Sequence, residues 1–304
     1  MVLYFRLLRE SFGFALNALR NNKLRTILSL LGVTIGIFSI IAVLAAVDSL
    51  DRKIKSDMSS LDKNTMYLKR FSFGPSEIPR WKREQFPNVT YEEFQYLKNS
   101  VNGMDKATYQ LFTARQIAKY DTKTVSDVNV IPATHELVEI QPMKFKQGRF
   151  FNESESNSGT AVIVLGYEIA NSLFENTDPI GKKIRLYGQK FTVIGVLEKQ
   201  GQGTFGNSND TAVCIPVNFM RNKFGDHNDT MTPIIIFKPN EGVDVDEFKG
   251  EVIQKLRNKR GMKIGQEDNF FIDVLSGFTE MIDQIVGVMN GIGWAISFFS
   301  LLVV

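Results

Sequence analysis

The chain has 304 residues, 43% of them hydrophobic and 23% charged, the balance of a protein most of which folds in water. Its net charge of +3 is too small over this length to argue for nucleic acid. A single cysteine, Cys214, excludes an internal disulfide framework and a cysteine-based zinc site.

Residues 2–22 place Phe5, Leu8, Phe12, Ala15, Leu16 and Leu19 on one helical stripe, with Arg6, Arg9, Asn17 and Arg20 off it. The pattern predicts an amphipathic helix along a membrane surface, within an interfacial segment 1–26. Residues 27–47 (ILSLLGVTIGIFSIIAVLAAV) follow without a charge. At about 1.5 Å per residue they form a helix of roughly 30 Å, the thickness of a hydrocarbon core. Arg6, Arg9, Arg20, Lys23 and Arg25 against Glu10 keep the N-terminus cytoplasmic, so the chain after Val47 emerges outside. Val47, Leu50, Ile54 and Leu61 then continue at helical spacing, which predicts a stalk with one narrow apolar edge.

The segment 48–284 reads as a mixed α+β extracytoplasmic domain with helical stalks. Its predicted strands are 65–71, 108–120, 125–133, 161–165, 183–186, 191–197, 211–215, 233–237 and 270–274. Helices are predicted at 90–100, opened by the capping box Thr90 and Glu93, at 167–174 and at 244–258. Residues 73–87 and 201–210 read as loops, and Glu153 and Glu155 as members of a polar loop with nothing to perturb them. A domain of this size without disulfides fits a bacterial envelope protein. Residues 285–304 (IVGVMNGIGWAISFFSLLVV) form a second charge-free span, entered along a stripe that includes Met281 and Ile282, also assigned to the stalk. The sequence stops inside this span without a basic flank, so it reads as a fragment whose later spans are missing.

Reactive chemistry is sparse. Gly201-Gln-Gly203-Thr-Phe-Gly206 matches a dinucleotide fingerprint but leads into a strand-like run and Pro216 where a phosphate-binding helix should begin. No phosphate-cradling G-x-x-x-x-G-K-[ST] occurs, and His135 and His227 stand apart from any second metal ligand at useful spacing. No nucleophile elbow is present, and Cys214 sits in an apolar run. The expectation is a protein with no catalytic, cofactor or metal site. Gly32 and Gly36 in the first span, and Gly287 and Gly291 in the second, are spaced to admit close helix neighbours and favour a packed assembly such as a dimer.

Two blocks resemble one known family. Residues 10–37 (ESFGFALNALRNNKLRTILSLLGVTIGI) look like the N-terminus of MacB/FtsX-type ABC transporter permeases. Gly148-Arg-Phe-Phe, Ala161 to Gly166, Leu173-Phe, Pro179-Ile-Gly181-Lys-Lys-Ile, Phe191 to Val196 and Pro216 resemble that family's periplasmic core. The resemblance implies a non-catalytic, multi-pass subunit of the bacterial inner membrane with a large periplasmic domain between its first two spans. It implies an ATP-binding ABC subunit in the cytoplasm, a homodimer or related permease as mate, and a periplasmic adaptor as a further partner. It also implies that ATP-driven movement is passed along the helices to efflux, lipoprotein release or envelope regulation. Two spans around an outer domain are equally the plan of a transmembrane sensor, whose second span would lead into a signalling module. A membrane-anchored assembly or adhesion protein is a third reading.

Overall fold

A computed structural model describes residues 9–11, 13–14, 23–58, 62–72, 74, 76, 78–175, 177–201, 208–226 and 230–302. The chain divides into one unit of residues 1–53 and 282–304 and a larger unit, Ile54–Met281. In chain order the elements begin with α1 (Lys23–Met58), β1 (Met66–Lys69), α2 (Arg80–Arg83), α3 (Tyr91–Ser100), β2 (Met104–Phe112) and β3 (Gln116–Tyr120). There follow β4 (Lys123–Ala133), α4 (Leu137–Ile140), β5 (Phe145–Gly148), α5 (Glu153–Ser158), β6 (Val162–Leu165), α6 (Tyr167–Phe174) and β7 (Lys183–Leu186). The series ends with β8 (Gln189–Leu197), β9 (Ala212–Pro216), α7 (Val217–Phe224), β10 (Thr232–Pro239), α8 (Val245–Lys259), β11 (Phe271–Val274) and α9 (Leu275–Leu302).

The smaller unit holds most of α1 and α9. Ile27, Leu28, Leu30, Leu31, Ile35, Phe38 and Ile41 are exposed along α1, whereas a helix in a water-soluble core would bury them. Among the described residues one stretch, Thr26–Ser56, is long and apolar enough to cross a membrane. Thr34 donates its hydroxyl to the Leu30 carbonyl at 2.7 Å, satisfying it within the helix. Of the N-terminal segment, residues 9–11, 13 and 14 are helical; the predicted stripe Phe5, Leu8, Phe12, Ala15, Leu16 and Leu19 lies outside the described residues.

In the larger unit, strand order runs β11-β1-β10-β2-β4-β3-β7-β8-β6-β9, and β9 returns to pair with β4 in parallel. Strands β4, β3, β7, β8, β6 and β9 therefore close a ring, and β2, β10, β1 and β11 extend from it as an open arm. Closure removes the free edges of those six strands. Strands β1 and β10 of the arm are buried on both faces, which is why Met66–Leu68 and Ile234–Phe237 are apolar runs with little alternation. Phe94 and Leu97 of α3 and Phe248, Val252 and Leu256 of α8 share one core with Met66, Leu68, Ile235 and Phe237. Ile140 of α4 meets Tyr67, Ile234 and Ile236 on the opposite face. The predicted box opens α3: Glu93 N–H donates to Thr90 Oγ1 at 3.2 Å, and Thr90 N–H donates to Glu93 Oε2 at 2.9 Å.

Several boundaries differ from the sequence pattern. The run 108–120 appears as β2 and β3, which follow β4 antiparallel in one line of register and are interrupted at residues 113–115. The loop 73–87 contains the helical turn α2. The strand β5 and the helices α4, α5 and α7 are additions. Glu153 and Glu155 stand not in a loop but on α5, where Asn152 and Glu155 form a capping box and Gly159 ends the helix. Gly148 and Gly195 face each other across β5 and β8. A Cβ on Gly148 would lie 2.1 Å from the Ile194 carbonyl oxygen, and one on Gly195 would lie 2.4 Å from that of Arg149, so the crossing requires bare backbone.

Candidate functional site at the strand pair between the helices

The strand that follows α1 and the strand that precedes α9 are neighbours. β1 and β11 pair antiparallel, Met66 with Val274 through Lys69 with Phe271. The ladder continues past the strands, with Leu275 N–H donating to Thr65 O at 2.9 Å and Ser276 N–H to Lys63 O at 3.0 Å. Thr65 and Leu275 are thus a hydrogen-bonded pair, and the antiparallel alternation makes Tyr67 with Asp273 and Lys69 with Phe271 the next such pairs. The main-chain groups of Ile272 and Val274 consequently point away from β1.

Side chains reinforce the pair. Lys69 is fully buried, with Nζ 3.0 Å from Asp273 Oδ2 and 5.1 Å from the centre of the Phe71 ring. Burial pushes the ammonium down to about 8, against the attraction of Asp273. Asp273 also accepts the Ser72 hydroxyl at 3.2 Å. Tyr67, on the same face, is pushed up to about 12 by burial, opposed by its hydrogen bond with Gln141. Beside β11 lie two clefts, of about 740 and 270 Å³, and both are lined by Lys249 of α8 and by Ile272 and Asp273. The larger also takes in Ile78, Pro79 and Phe271, and the smaller Ser72, Gly74, Gly277 and Met281.

The predicted stalk residues divide between environments. Ile54 is 4% exposed and Leu50 53% exposed, while Met281 and Ile282 are half-buried and Leu61 lies outside the described residues. One contact between the two helices falls at a glycine outside the predicted set. A Cβ on Gly293 would meet Leu44 Cδ2 at 2.9 Å, so α1 and α9 touch there. Gly32, Gly287 and Gly291 have open space around the Cβ position, and Gly36 is half-buried.

Elsewhere the chemistry is structural. Cys214 is buried and its thiol pushed up to about 12 by desolvation, the opposite of an activated nucleophile. His135 is half-buried, and its Nδ1 has no hydrogen-bond partner among the described residues. His227, Gly203 and Gly206 lie outside the described residues, while Asp210 accepts the N–H groups of Gln200 and Gly201 at 2.9 and 2.8 Å. Glu155, expected to be unperturbed, is held below the ordinary carboxylate range by Arg149, whose guanidinium donates to both its oxygens at 2.7 and 2.8 Å. Among the described residues no cluster of metal-binding side chains forms.

The sequence profile of the MacB-like periplasmic core domain matches residues 26–255. The macrolide export ATP-binding/permease protein MacB of Neisseria gonorrhoeae is 24% identical over 304 residues, covering 99% of this chain and 44% of that protein. Its namesake from Mannheimia succiniciproducens is 26% identical, covering 97% of this chain and 44% of that protein. The chain therefore spans less than half the length of these relatives. Among solved structures, the periplasmic region of MacB from Actinobacillus actinomycetemcomitans superposes with a TM-score of 0.60 at 19% identity, over 76% of this chain and 98% of that one. The extracellular domain of the noncanonic ABC-type transporter YknZ from Gram-positive bacteria gives a TM-score of 0.53 at 19% identity, over 69% of this chain and 99% of that one.

Proposed function

This chain belongs to the family of MacB-like periplasmic core domains, and from that premise we propose that it is part of a permease subunit of a MacB/FtsX-type ABC transporter. In this reading α1 and α9 are the first two spans of a protein of the bacterial inner membrane. The N-terminus faces the cytoplasm, and the unit Ile54–Met281 stands in the periplasm. The subunit has no reaction centre of its own. ATP is bound and hydrolysed by a separate cytoplasmic subunit, and the permease turns that cycle into movement outside. Two copies, or this chain and a related permease, pair through their spans, with Gly32, Gly36, Gly287 and Gly291 at the surfaces that meet. A periplasmic adaptor receives the movement, and the work done is efflux, lipoprotein release or regulation of an envelope enzyme.

The observation that carries this reading is the pairing of the strand that follows α1 with the strand that runs straight into α9. α1 leads to β1, α9 starts at the residue after β11, and β1 and β11 share a ladder and a buried ion pair. A displacement of the start of α9 is borne by that pair, because main-chain hydrogen bonds leave little room for slip before they break. The test is electron–electron distance spectroscopy on the full-length protein in lipid nanodiscs with its ATP-hydrolysing partner. Spin labels on the exposed side of β3 in each copy should shift by several ångströms between the nucleotide-free and vanadate-trapped states. Hydrolysis with unchanged distances would sink the mechanical reading.

A further inference from the structure

Two strands of the sheet keep an open edge, and one of them borders the two clefts described above. Among the described residues β11 pairs with β1 alone and β5 pairs with β8 alone, so these two strands end the sheet. β5 reads Phe-Lys-Gln-Gly, with Lys146 and Gln147 exposed, a composition that discourages further pairing. β11 reads Phe-Ile-Asp-Val, with no cation. Its alternation turns the N–H and C=O groups of Ile272 and the N–H of Val274 outward, while the Val274 C=O opens the first turn of α9; Ile272 lines both clefts and Val274 the smaller one. Lys249 of α8 lines both clefts, which makes them neighbouring stretches of one groove.

We propose that this groove takes up an extended, apolar segment of a partner protein, added as a strand to β11, with a carboxylate of that segment opposite Lys249. Backbone pairing with Ile272 and Val274 supplies affinity without regard to sequence, and the walls supply selection. Ile78, Pro79 and Phe271 give an apolar floor for alternate side chains. The charges specify the sign of the partner. Glu267 is paired with Lys82, Asp268 with Arg257, and Asp273 with Lys69, whereas Lys249 has no ion-pair partner among the described residues. A strand of four to six residues suits the groove, because β11 itself has four.

The experiment pans a phage-displayed library of random dodecapeptides on the full chain held in lipid nanodiscs, with empty nanodiscs for subtraction. The enriched peptides are synthesised with a fluorescent label for polarisation measurements. Expected are peptides with alternating apolar residues and one Asp or Glu, whose affinity falls at least tenfold with Val274→Pro and with Lys249→Glu. Val274→Pro removes an outward N–H and leaves the ladder to β1 in place. Lys249→Glu changes a side chain at the groove and spares the core, so it answers the question even where the proline variant folds poorly. Lys146→Glu, at the other sheet end, should leave affinity unchanged. The proposal is overturned by failure to enrich any peptide over empty nanodiscs, or by binding that both groove variants leave intact. It is overturned equally if Val274→Cys forms a disulfide between copies of the chain, which would seat a second copy on the strand.

Discussion

Lys69 Nζ lies 3.0 Å from Asp273 Oδ2, an ion pair that joins the strand after one apolar helix to the strand before the other. The two partners are unequal, for Lys69 is fully buried and the Asp273 side chain is 22% exposed. Removing Asp273 by Asp273→Asn strands a buried ammonium and should cost about 3 kcal/mol in urea unfolding, whereas Lys69→Met leaves a partly solvated carboxylate and should be close to neutral. The pH dependence follows from the lowered ammonium. The unfolded chain keeps the proton up to its ordinary value of 10.5, while the folded chain releases it at about 8. The unfolded state therefore binds more protons in that window, and stability should rise from pH 8 to about 10, by up to about 3 kcal/mol. Lys69→Met should lack this rise. An identical slope in both proteins would remove Lys69 as its source.

Gly293 and Gly32 should respond differently to bulk. Gly293→Leu drives a side chain into Leu44 and should weaken the contact of α1 with α9 by about 1–3 kcal/mol, read as a loss of disulfide formation between cysteines placed on the two helices near it. Gly32→Leu meets nothing within the chain and should leave that disulfide yield unchanged. Its effect should fall instead on association between copies, measured by energy transfer in vesicles.

The bidentate pair of Arg260 and Glu93, at 2.7 and 3.0 Å, ties α8 to the capping box of α3. Both side chains are nearly buried, so Arg260→Met should cost about 3 kcal/mol through the uncompensated carboxylate. Glu93→Gln should cost less than that, since its amide still accepts one bond from the arginine. Comparable losses from the two variants would contradict this assignment.

Glu155 should mark the acid limb of stability. Arg149 holds its carboxyl below the ordinary range, so its contribution is present above about pH 4.5 and disappears as pH falls through the lowered value. Because the Arg149 side chain is 55% exposed, Glu155→Gln should cost less than about 1 kcal/mol at pH 7. The difference between variant and native should vanish near pH 2 in acid titrations followed by circular dichroism.

The strands and the long helices were legible because each carries a period of its own. Residues 27–47 and the runs 162–165, 191–197 and 233–237 declare themselves by apolar content, and Thr90 with Glu93 announces a helix start. α5 escaped notice because Glu-Ser-Glu-Ser-Asn-Ser has no apolar stripe, although Asn152 and Glu155 already stood at capping-box spacing. The environment of Glu155 depends on Arg149, which the β5 turn delivers to it, and no local pattern encodes that. Spacing drew attention to Gly32, Gly36, Gly287 and Gly291, whereas the contact with Leu44 falls to Gly293, chosen by the way two helices cross. The pairing of β1 with β11 spans some 200 residues, so the candidate site was invisible until topology joined its halves.

That same pairing sets a schedule for biosynthesis. β1 leaves the ribosome early, yet both of its neighbours, β10 and β11, are made near the end of the segment. Until Thr232 to Val274 arrive, Met66–Lys69 must wait with both flanks open while the intervening ring forms first, since closing so long a loop rewards nothing before its last strands exist. Nascent chains arrested before residue 232 should stay sensitive to protease around residue 70 and become resistant once residue 274 has been translocated. A delay in export of the final third would then expose an apolar strand to aggregation, a vulnerability that holdase chaperones of the envelope are suited to cover.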